Sequence, residues 1–233
     1  PLEPVFALEE AIEEAKRCLQ CGGCSECMEC LKACEAKAID HQMEDEQLEI
    51  EVGSIILSPG FDEFDPLRKS EYGYGRFPNV VTSIEFERFL SASGPFNGRV
   101  LRPSDGKHPK RVAWIQCVGS RDPHIGKGYC SSVCCMYATK ETVIAKEHDP
   151  EMEATIFYMD MRAYGKDFDK YVERAKKDYG VRYIRSRISH VKEDPMTNHL
   201  TIHYETEEGQ KVAEEFDLVV LSVGLEPVRD HQE

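Results

Sequence analysis

The residues of this chain that are best suited to chemistry are its ten cysteines. They fall into two tight groups, six between Cys18 and Cys34 and four between Cys117 and Cys135. Thiols this close together cannot staple distant loops as a disulfide framework does. Clustered thiols are typical of metal ligands in a reducing compartment, so the sequence predicts two metal-binding regions.

The first group has the spacing of a bacterial ferredoxin, C-x₂-C-x₂-C-x₃-C, except that Glu35 replaces the proline that follows the fourth cysteine. The run consists of Cys24, Cys27, Cys30 and Cys34. Three thiolates at this spacing let one loop curl around a cubane and reach three irons, and the fourth ligand is Cys34, Cys18 or Cys21. Six cysteines therefore hold one cluster with two spare thiols, or two clusters that another chain completes.

Zinc is the main alternative for this first group. Zinc sites usually combine two C-x₂-C pairs across a longer span, or add histidine ligands. The run of short spacings favours iron–sulfur over zinc, and a metal-free disulfide arrangement is the least favoured interpretation.

The second group, C-x₁₂-C-x₃-C-C, lies where a predicted strand over residues 112–118 turns into a predicted helix over residues 130–148. In a dinucleotide-binding unit this turn carries G-x-G-x-x-G and cradles a pyrophosphate. Here Gly126 and Gly128 are present, but Ser131 replaces the third glycine. We expect thiolates to occupy the nucleotide's position, so that the chain does not use NAD(P)H directly. The alternative is a vicinal disulfide between Cys134 and Cys135.

The elements that must position these thiols follow from hydrophobic periodicity. An amphipathic helix is predicted over residues 6–19, a strand over 48–61, a loop over 61–80 and a helix with a Thr82–Glu85 capping box. After a loop over 93–110, the pattern changes to a parallel strand–helix–strand–helix–strand unit of the dinucleotide-binding kind. Its later elements are predicted over residues 155–161, 168–175 and 181–184, and two further strands near 200–204 and 218–223 complete it.

Two predicted strands end in the same Leu-Ser-x-Gly pattern. The first ends in Ser58, Pro59 and Gly60, and the second ends in Ser222, Val223 and Gly224. The carboxyl ends of strands in open α/β sheets face the ligand crevice, so these six residues are candidates for cofactor binding. The alternative is that both are ordinary strand ends with a turn glycine.

Composition excludes several functional classes. The formal net charge of −14 argues against nucleic-acid binding, which requires basic patches. The longest apolar runs are far shorter than the roughly 20 residues of a membrane-spanning helix. Residues 1–14 are acidic where a secretory signal would be basic and then apolar, so we expect a cytoplasmic protein.

Long motifs around the second cysteine group resemble the A subunit of heterodisulfide reductase and its bacterial relatives. The two longest are Trp114-Ile-Gln-Cys-Val-Gly-Ser-Arg-Asp122 and Gly128-Tyr-Cys-Ser-Ser-Val-Cys-Cys-Met-Tyr-Ala-Thr-Lys140. Shorter matches lie at residues 93–95, 102–107 and 157–166, and the resemblance extends from Cys18 to Glu226.

This resemblance implies a thioredoxin-reductase-like flavoprotein with an N-terminal ferredoxin-like segment, FAD and between one and three [4Fe–4S] clusters. It implies that one cluster is held by Cys117, Cys130, Cys134 and Cys135. It also implies partner subunits that pass electrons between hydrogenase or formate dehydrogenase components, ferredoxin and a disulfide, in some cases by flavin-based bifurcation.

The family's first glycine-rich turn, which holds the FAD pyrophosphate, is not found in this sequence, nor is its C-terminal ferredoxin-like extension. The chain therefore resembles the middle-to-late part of such a protein. We expect four regions: a cysteine-rich segment (1–47), part of an FAD domain (48–109), a second Rossmann-like domain with a cluster (110–216) and a strand returning to the FAD domain (217–233).

Overall fold

The computed structural model of the protein describes residues 7–16 and 28–228. The chain divides into two compact units, residues 1–59 and 60–233. The described part of the first unit contains two short helices, α1 (Leu8–Lys16) and α2 (Glu29–Ala33). Within the described residues, no helix is both long enough and apolar enough to span a bilayer.

The strand that we predicted over residues 48–61 is wrong for this structure, because residues 45–60 form no strand or helix. The apolar side chains of this segment are exposed instead, for example Ile50 at 73% and Ile56 at 90%. An extended segment needs a neighbouring strand to pair its backbone N–H and C=O groups. We find no strand paired with it in the described part of the chain.

The second unit contains three α-helices, three short 3₁₀ helices and ten strands within its described residues. The α-helices are α3 (Ser83–Leu90), α4 (Cys134–His148) and α5 (Phe168–Lys177). The strands are β1 (Asp62–Glu63), β2 (Val80–Thr82), β3 (Arg111–Val118), β4 (Glu153–Tyr158), β5 (Arg182–Arg185), β6 (His190–Glu193), β7 (Leu200–Glu205), β8 (Lys211–Phe216), β9 (Leu218–Val223) and β10 (Leu225–Glu226).

A five-stranded sheet in the order β2-β9-β3-β4-β5 forms the centre of this unit, and all of its neighbouring strands are parallel. The predicted strand–helix–strand–helix–strand unit is confirmed as β3-α4-β4-α5-β5. The predicted capping box of α3 is also confirmed, because Thr82 Oγ1 accepts from Glu85 N at 3.3 Å and Glu85 Oε2 accepts from Thr82 N at 2.7 Å. Strand β2 was not predicted, since it lies at the end of the predicted loop.

A three-stranded antiparallel sheet in the order β6-β7-β8 corrects one prediction. We expected the strand near residues 200–204 to complete the parallel sheet, but it is β7 of this second sheet. Its residues alternate between buried and half-exposed, with Leu200, Ile202 and Tyr204 facing inward. That alternation is typical of an antiparallel strand with one covered face.

The parallel sheet has two covered faces with separate apolar cores. Along β3, Val112 and Trp114 pack in a cluster with side chains of α3, α4 and α5. The intervening Ala113 and Ile115 pack in a second cluster with side chains of β6, β7 and β8. The unit therefore has three layers, with helices on one face of the parallel sheet and the antiparallel sheet on the other.

A buried carboxyl group lies in the helical core. Glu141 of α4 is 3% exposed, and its Oε2 accepts a hydrogen bond from Trp114 Nε1 at 2.9 Å. Burial raises the pKa of Glu141 well above its ordinary value, with a further contribution from the charge of Glu87, whereas the Trp114 bond and the charge of Lys140 oppose this shift. Burial therefore favours the protonated, neutral form of Glu141 in the folded core.

Replacing Glu141 with glutamine is expected to increase stability at neutral pH. The pKa of Glu141 is higher in the folded protein than in the unfolded chain, where it is 4.5. The stability that this carboxyl contributes is therefore fully present below pH 4.5, and it is lost as the pH rises toward the pKa of the folded state. Glutamine keeps the acceptor for Trp114 but does not ionise. Denaturant unfolding from pH 4 to 8 should show that Glu141→Gln gains stability over wild type as the pH rises. Equal pH profiles would contradict the assignment.

Candidate metal centre

The first cysteine of the second group, Cys117, lies near the carboxyl end of β3, between the residues Ile115 and Val118 that pair with β9. Cys117 has a φ of +61°, which is uncommon for a residue other than glycine. The β3–β9 register shifts between Ile115 and Val118, so Cys117 lies in an irregularity of the strand. This irregularity places a half-buried thiol at the carboxyl end of the parallel sheet.

The other three thiols are brought to the same place by the connection from β3 to α4. Cys130 lies in the loop, and the buried Cys134 and Cys135 form the first turn of α4. All four side chains line one cavity together with Arg121, Asp160 and Arg162. All four are free thiols, and no disulfide joins Cys134 to Cys135. The structure thus brings together the four residues that the sequence singled out at this turn.

The thiols interact with one another. A hydrogen bond between Cys117 and Cys134 lowers the pKa of Cys134 to about 7 and raises that of Cys117. Burial raises the pKa of Cys135. The thiolate is the metal-binding form of cysteine, and the hydrogen bond makes Cys134 the member of the pair that deprotonates first.

The sulfur of Cys135 has three polar neighbours. It lies 3.1 Å from Gln116 Oε1 and 3.7 Å from the carbonyl oxygen of Asp160, and it accepts the backbone N–H of Arg162 at 3.3 Å. The side chain of Arg162 also hydrogen-bonds Cys130. Backbone and side chains from the end of β4 therefore contact thiols of the β3–α4 connection.

Two hydrogen-bond donors near the thiols have no partner among the residues that the structure describes. Arg121 donates from Nη2 to Asp160 at 2.8 Å, but its buried Nη1 meets no acceptor, and neither does the buried Nε2 of Gln116. Arg121 lines the thiol cavity, and Gln116 lines the adjoining cavity that also includes Arg121 and Cys117. Unpartnered buried donors are costly and call for an explanation. An electron-rich group bound to the thiolates would supply an acceptor for Arg121, which lines the same cavity.

A single metal ion and an iron–sulfur cluster place different demands on the spacing of their ligand atoms. In the described parts of the chain, no group of three or more His, Cys, Asp or Glu side chains could hold one metal ion. A zinc ion needs thiolates at about 2.3 Å from one point, whereas a cubane spreads its thiolates over several irons.

Hydrogen bonds fix the loop that carries Cys130. Ser120 Oγ donates to the Tyr129 carbonyl at 3.1 Å and accepts from Ser131 N at 3.0 Å. Ser131 Oγ in turn accepts at 2.9 Å from the backbone N of Leu225, the first residue of β10. The start of β10, which follows β9 directly, thus anchors the loop.

The second Leu-Ser-x-Gly end lies in this anchoring region. Ser222 is fully buried, and the Val223 carbonyl accepts from Tyr137 Oη at 2.5 Å. A Cβ on Gly224 would lie 2.9 Å from the carbonyl oxygen of Gly119, so the close approach requires glycine. These contacts give Val223 and Gly224 a structural role beside the thiols, and cofactor binding by Ser222, Val223 and Gly224 stays a prediction.

Less of the first group can be placed. Cys18, Cys21, Cys24 and Cys27 lie outside the described residues, and Cys30 lies in α2. Cys34 is half-buried, and its sulfur accepts the backbone N–H of Ala38 at 3.3 Å. Ser58, Pro59 and Gly60 are exposed. The ligand and cofactor roles of these residues stay predictions.

Sequence reasoning did not select Gln116, Arg121 or Arg162 as parts of the site. The predicted topology nevertheless indicates which residues lie close to the cysteines. Adjacent parallel strands end at the same edge of a sheet, so residues that follow β4 must lie beside the end of β3. The pairing of Ile115 with Phe157 fixes this register and brings Arg162 to Cys135.

Comparisons with known proteins identify close relatives, although no protein-family model matches the chain. It is 54% identical over 194 residues to an iron-sulfur A subunit of the CoB–CoM heterodisulfide reductase of Methanopyrus kandleri, which covers 83% of this chain and 30% of that protein. It is 51% identical over 197 residues to the A subunit of the H₂:CoB-CoM heterodisulfide,ferredoxin reductase of Methanothermobacter marburgensis, covering 84% and 30%.

A third relative is the A subunit of the H₂/formate:CoB-CoM heterodisulfide,ferredoxin reductase of Methanococcus maripaludis, 48% identical over 84% of this chain and 30% of that protein. Among solved structures, a 2-naphthoyl-CoA reductase complex matches with a TM-score of 0.44 at 14% identity, covering 71% of this chain and 19% of that one. The chain thus spans about 30% of the length of its curated relatives. The resemblance that the motifs carried is confirmed.

Proposed function

We propose that this chain, which is homologous over most of its length to a segment of heterodisulfide reductase A subunits, is an electron-transfer part of an oxidoreductase of that kind. Its second unit binds one [4Fe–4S] cluster through Cys117, Cys130, Cys134 and Cys135. The observation that supports this most strongly is the convergence of four free thiols on one cavity with unpartnered donors beside it.

A bound iron–sulfur cluster supplies one-electron transfer. The residues of this chain hold and tune it. The four cysteines provide thiolates, the helix dipole of α4 favours negative charge at its N-terminus, and Arg162 donates its backbone N–H to Cys135. Hydrogen bonds to ligand sulfurs and the exclusion of solvent are the means by which a protein sets the potential of such a group.

The first cysteine group binds a further cluster in this proposal. Cys24, Cys27 and Cys30 are shared ligands, and Cys34, Cys18 or Cys21 is the fourth. FAD is bound together with further polypeptide of the complex, and Ser58–Gly60 and Ser222–Gly224 face it. The exposed apolar side chains of residues 48–57 are the surface that this further polypeptide covers, since they otherwise remain in water.

The partners follow from the names of the relatives. Two of them are named for hydrogen or formate together with a heterodisulfide and ferredoxin. We propose that hydrogenase or formate dehydrogenase components, ferredoxin and the other heterodisulfide reductase subunits exchange electrons with this protein in the cytoplasm, in some cases by flavin-based bifurcation.

Metal analysis of protein prepared without oxygen tests the proposal. Iron with an equal amount of acid-labile sulfide, a brown colour and an EPR signal on reduction are expected. A colourless protein that contains zinc would overturn it, and the chain would then be a zinc-stabilised interaction domain.

Replacing Cys27 with serine is expected to abolish the EPR signal of the first cluster and to lower iron by about four per chain, because a cubane needs all of its ligands. Single serine variants of Cys18, Cys21 and Cys34 then identify the fourth ligand, since only the true ligand should abolish that signal. An intact signal in Cys27→Ser would show that the ferredoxin-like spacing does not bind a cluster.

A further inference from the structure

Gln116 of strand β3 is buried at 7% exposure beside a thiol of the candidate centre. Its Oε1 lies 3.1 Å from Cys135 Sγ, so the carboxamide accepts from the protonated thiol. Its Nε2 is buried and has no partner in the described part of the chain. A carboxamide can be turned over to exchange these two atoms with little change in shape, and its orientation follows the hydrogen bonds that its surroundings allow.

Metal binding changes the hydrogen bonds that are available to the Gln116 carboxamide. A ligand thiolate has no proton to donate, so sulfur and Oε1 would become two facing acceptors at 3.1 Å. Turning the carboxamide over places Nε2 against the sulfur. Gln116 and Arg121 line the same cavity, and Arg121 Nη1 also has no acceptor among the described residues. The reversed orientation thus removes a buried unpartnered N–H.

We infer that Gln116 is a positioning residue for the metal centre: when Cys135 becomes a ligand, the Gln116 carboxamide donates Nε2–H to its sulfur and raises the reduction potential of the bound group. Together with the backbone N–H of Arg162 at 3.3 Å, Cys135 then accepts two N–H bonds. Such bonds stabilise the more negative, reduced state. This inference depends on the proposed [4Fe–4S] cluster of the second unit.

Potentiometric EPR titration of Gln116→Met tests it on the iron-loaded protein. Methionine has a similar length but no N–H, so the equilibrium constant for reduction should fall by about tenfold, which is about 59 mV for a one-electron couple. The signal to follow is the one that Cys134→Ser removes. Thr142→Val is the matched control, because it removes a buried hydroxyl of α4 that donates to the Thr139 carbonyl at 2.8 Å without contacting a thiol. Full iron with an unchanged potential in Gln116→Met would overturn the inference and leave the proposed function intact.

A second measurement does not depend on how well that variant folds. In a Cys27→Ser background, side-chain ¹⁵N-labelled glutamine should give a ¹⁵N hyperfine coupling in the pulsed EPR spectrum of the remaining cluster. A cluster without this coupling would overturn the role of Gln116, whereas the absence of any cluster signal would overturn the proposed function itself.

Discussion

Replacing Cys134 with serine is expected to remove one cluster, about four irons per chain, together with its EPR signal. Cys134 is 3% exposed, is hydrogen-bonded to Cys117 and begins helix α4, so its thiolate is central to the four-thiol cavity. Cys134→Ala should have the same effect, because alanine cannot ligate iron. Iron and sulfide analysis with EPR of the reduced protein measures the loss.

Met136→Leu is the matched control for these variants, since it changes a half-buried side chain in the same turn of α4 but keeps every thiol. It should retain the full iron content. Unchanged iron and an unchanged spectrum in both Cys134 variants would show that the four cysteines do not hold a cluster.

Replacing Gly119 with alanine is expected to lower the free energy of unfolding by about 2 to 5 kcal/mol. Gly119 follows β3 with a φ of +74°, and a Cβ there would lie 2.0 Å from the ring of Phe64, which is fully buried. The substitution adds backbone strain to the overpacking of the Phe64 ring. Denaturant unfolding of the iron-loaded protein measures the change.

Gly126→Ala is the control for the strain alone. Gly126 lies in the same loop with the same φ of +74°, but nothing lies within 4 Å of the position that a Cβ would take there. Gly126→Ala should lower the free energy of unfolding by about 1 to 2 kcal/mol, which is the cost of a positive φ for alanine without overpacking. Equal losses in the two variants would mean that Phe64 moves aside freely and that Gly119 has no packing role.

Periodicity predicted the parallel part of the fold because its strands are apolar on both faces. Strand β9 is buried along its whole length, and β3 is buried along most of it, so both stand out in the sequence as short apolar runs. Strands β6 and β8 read HVKE and KVAEEF and were missed. They are covered on one face only, and their polar residues hide the alternation.

The part of the site that comes from consecutive segments of the chain was predictable from the sequence. A strand end, a loop and a helix start are consecutive in sequence, so four cysteines in those positions indicated one centre. Gln116 and Arg162 act through contacts with Cys135 that depend on the irregular end of β3 and on the register of β4. The spacing of cysteines along one segment does not predict the irregular end of β3 or the register of β4.

The most direct test of the central claim is Mössbauer spectroscopy with iron and sulfide analysis on the variant Cys24→Ser/Cys27→Ser/Cys30→Ser, prepared without oxygen. This variant lacks the ferredoxin-like ligands and keeps Cys117, Cys130, Cys134 and Cys135. About four irons and about four sulfides per chain are expected, with the spectrum of a [4Fe–4S] cluster. A variant that contains no iron, or that binds zinc in its place, would contradict the central claim.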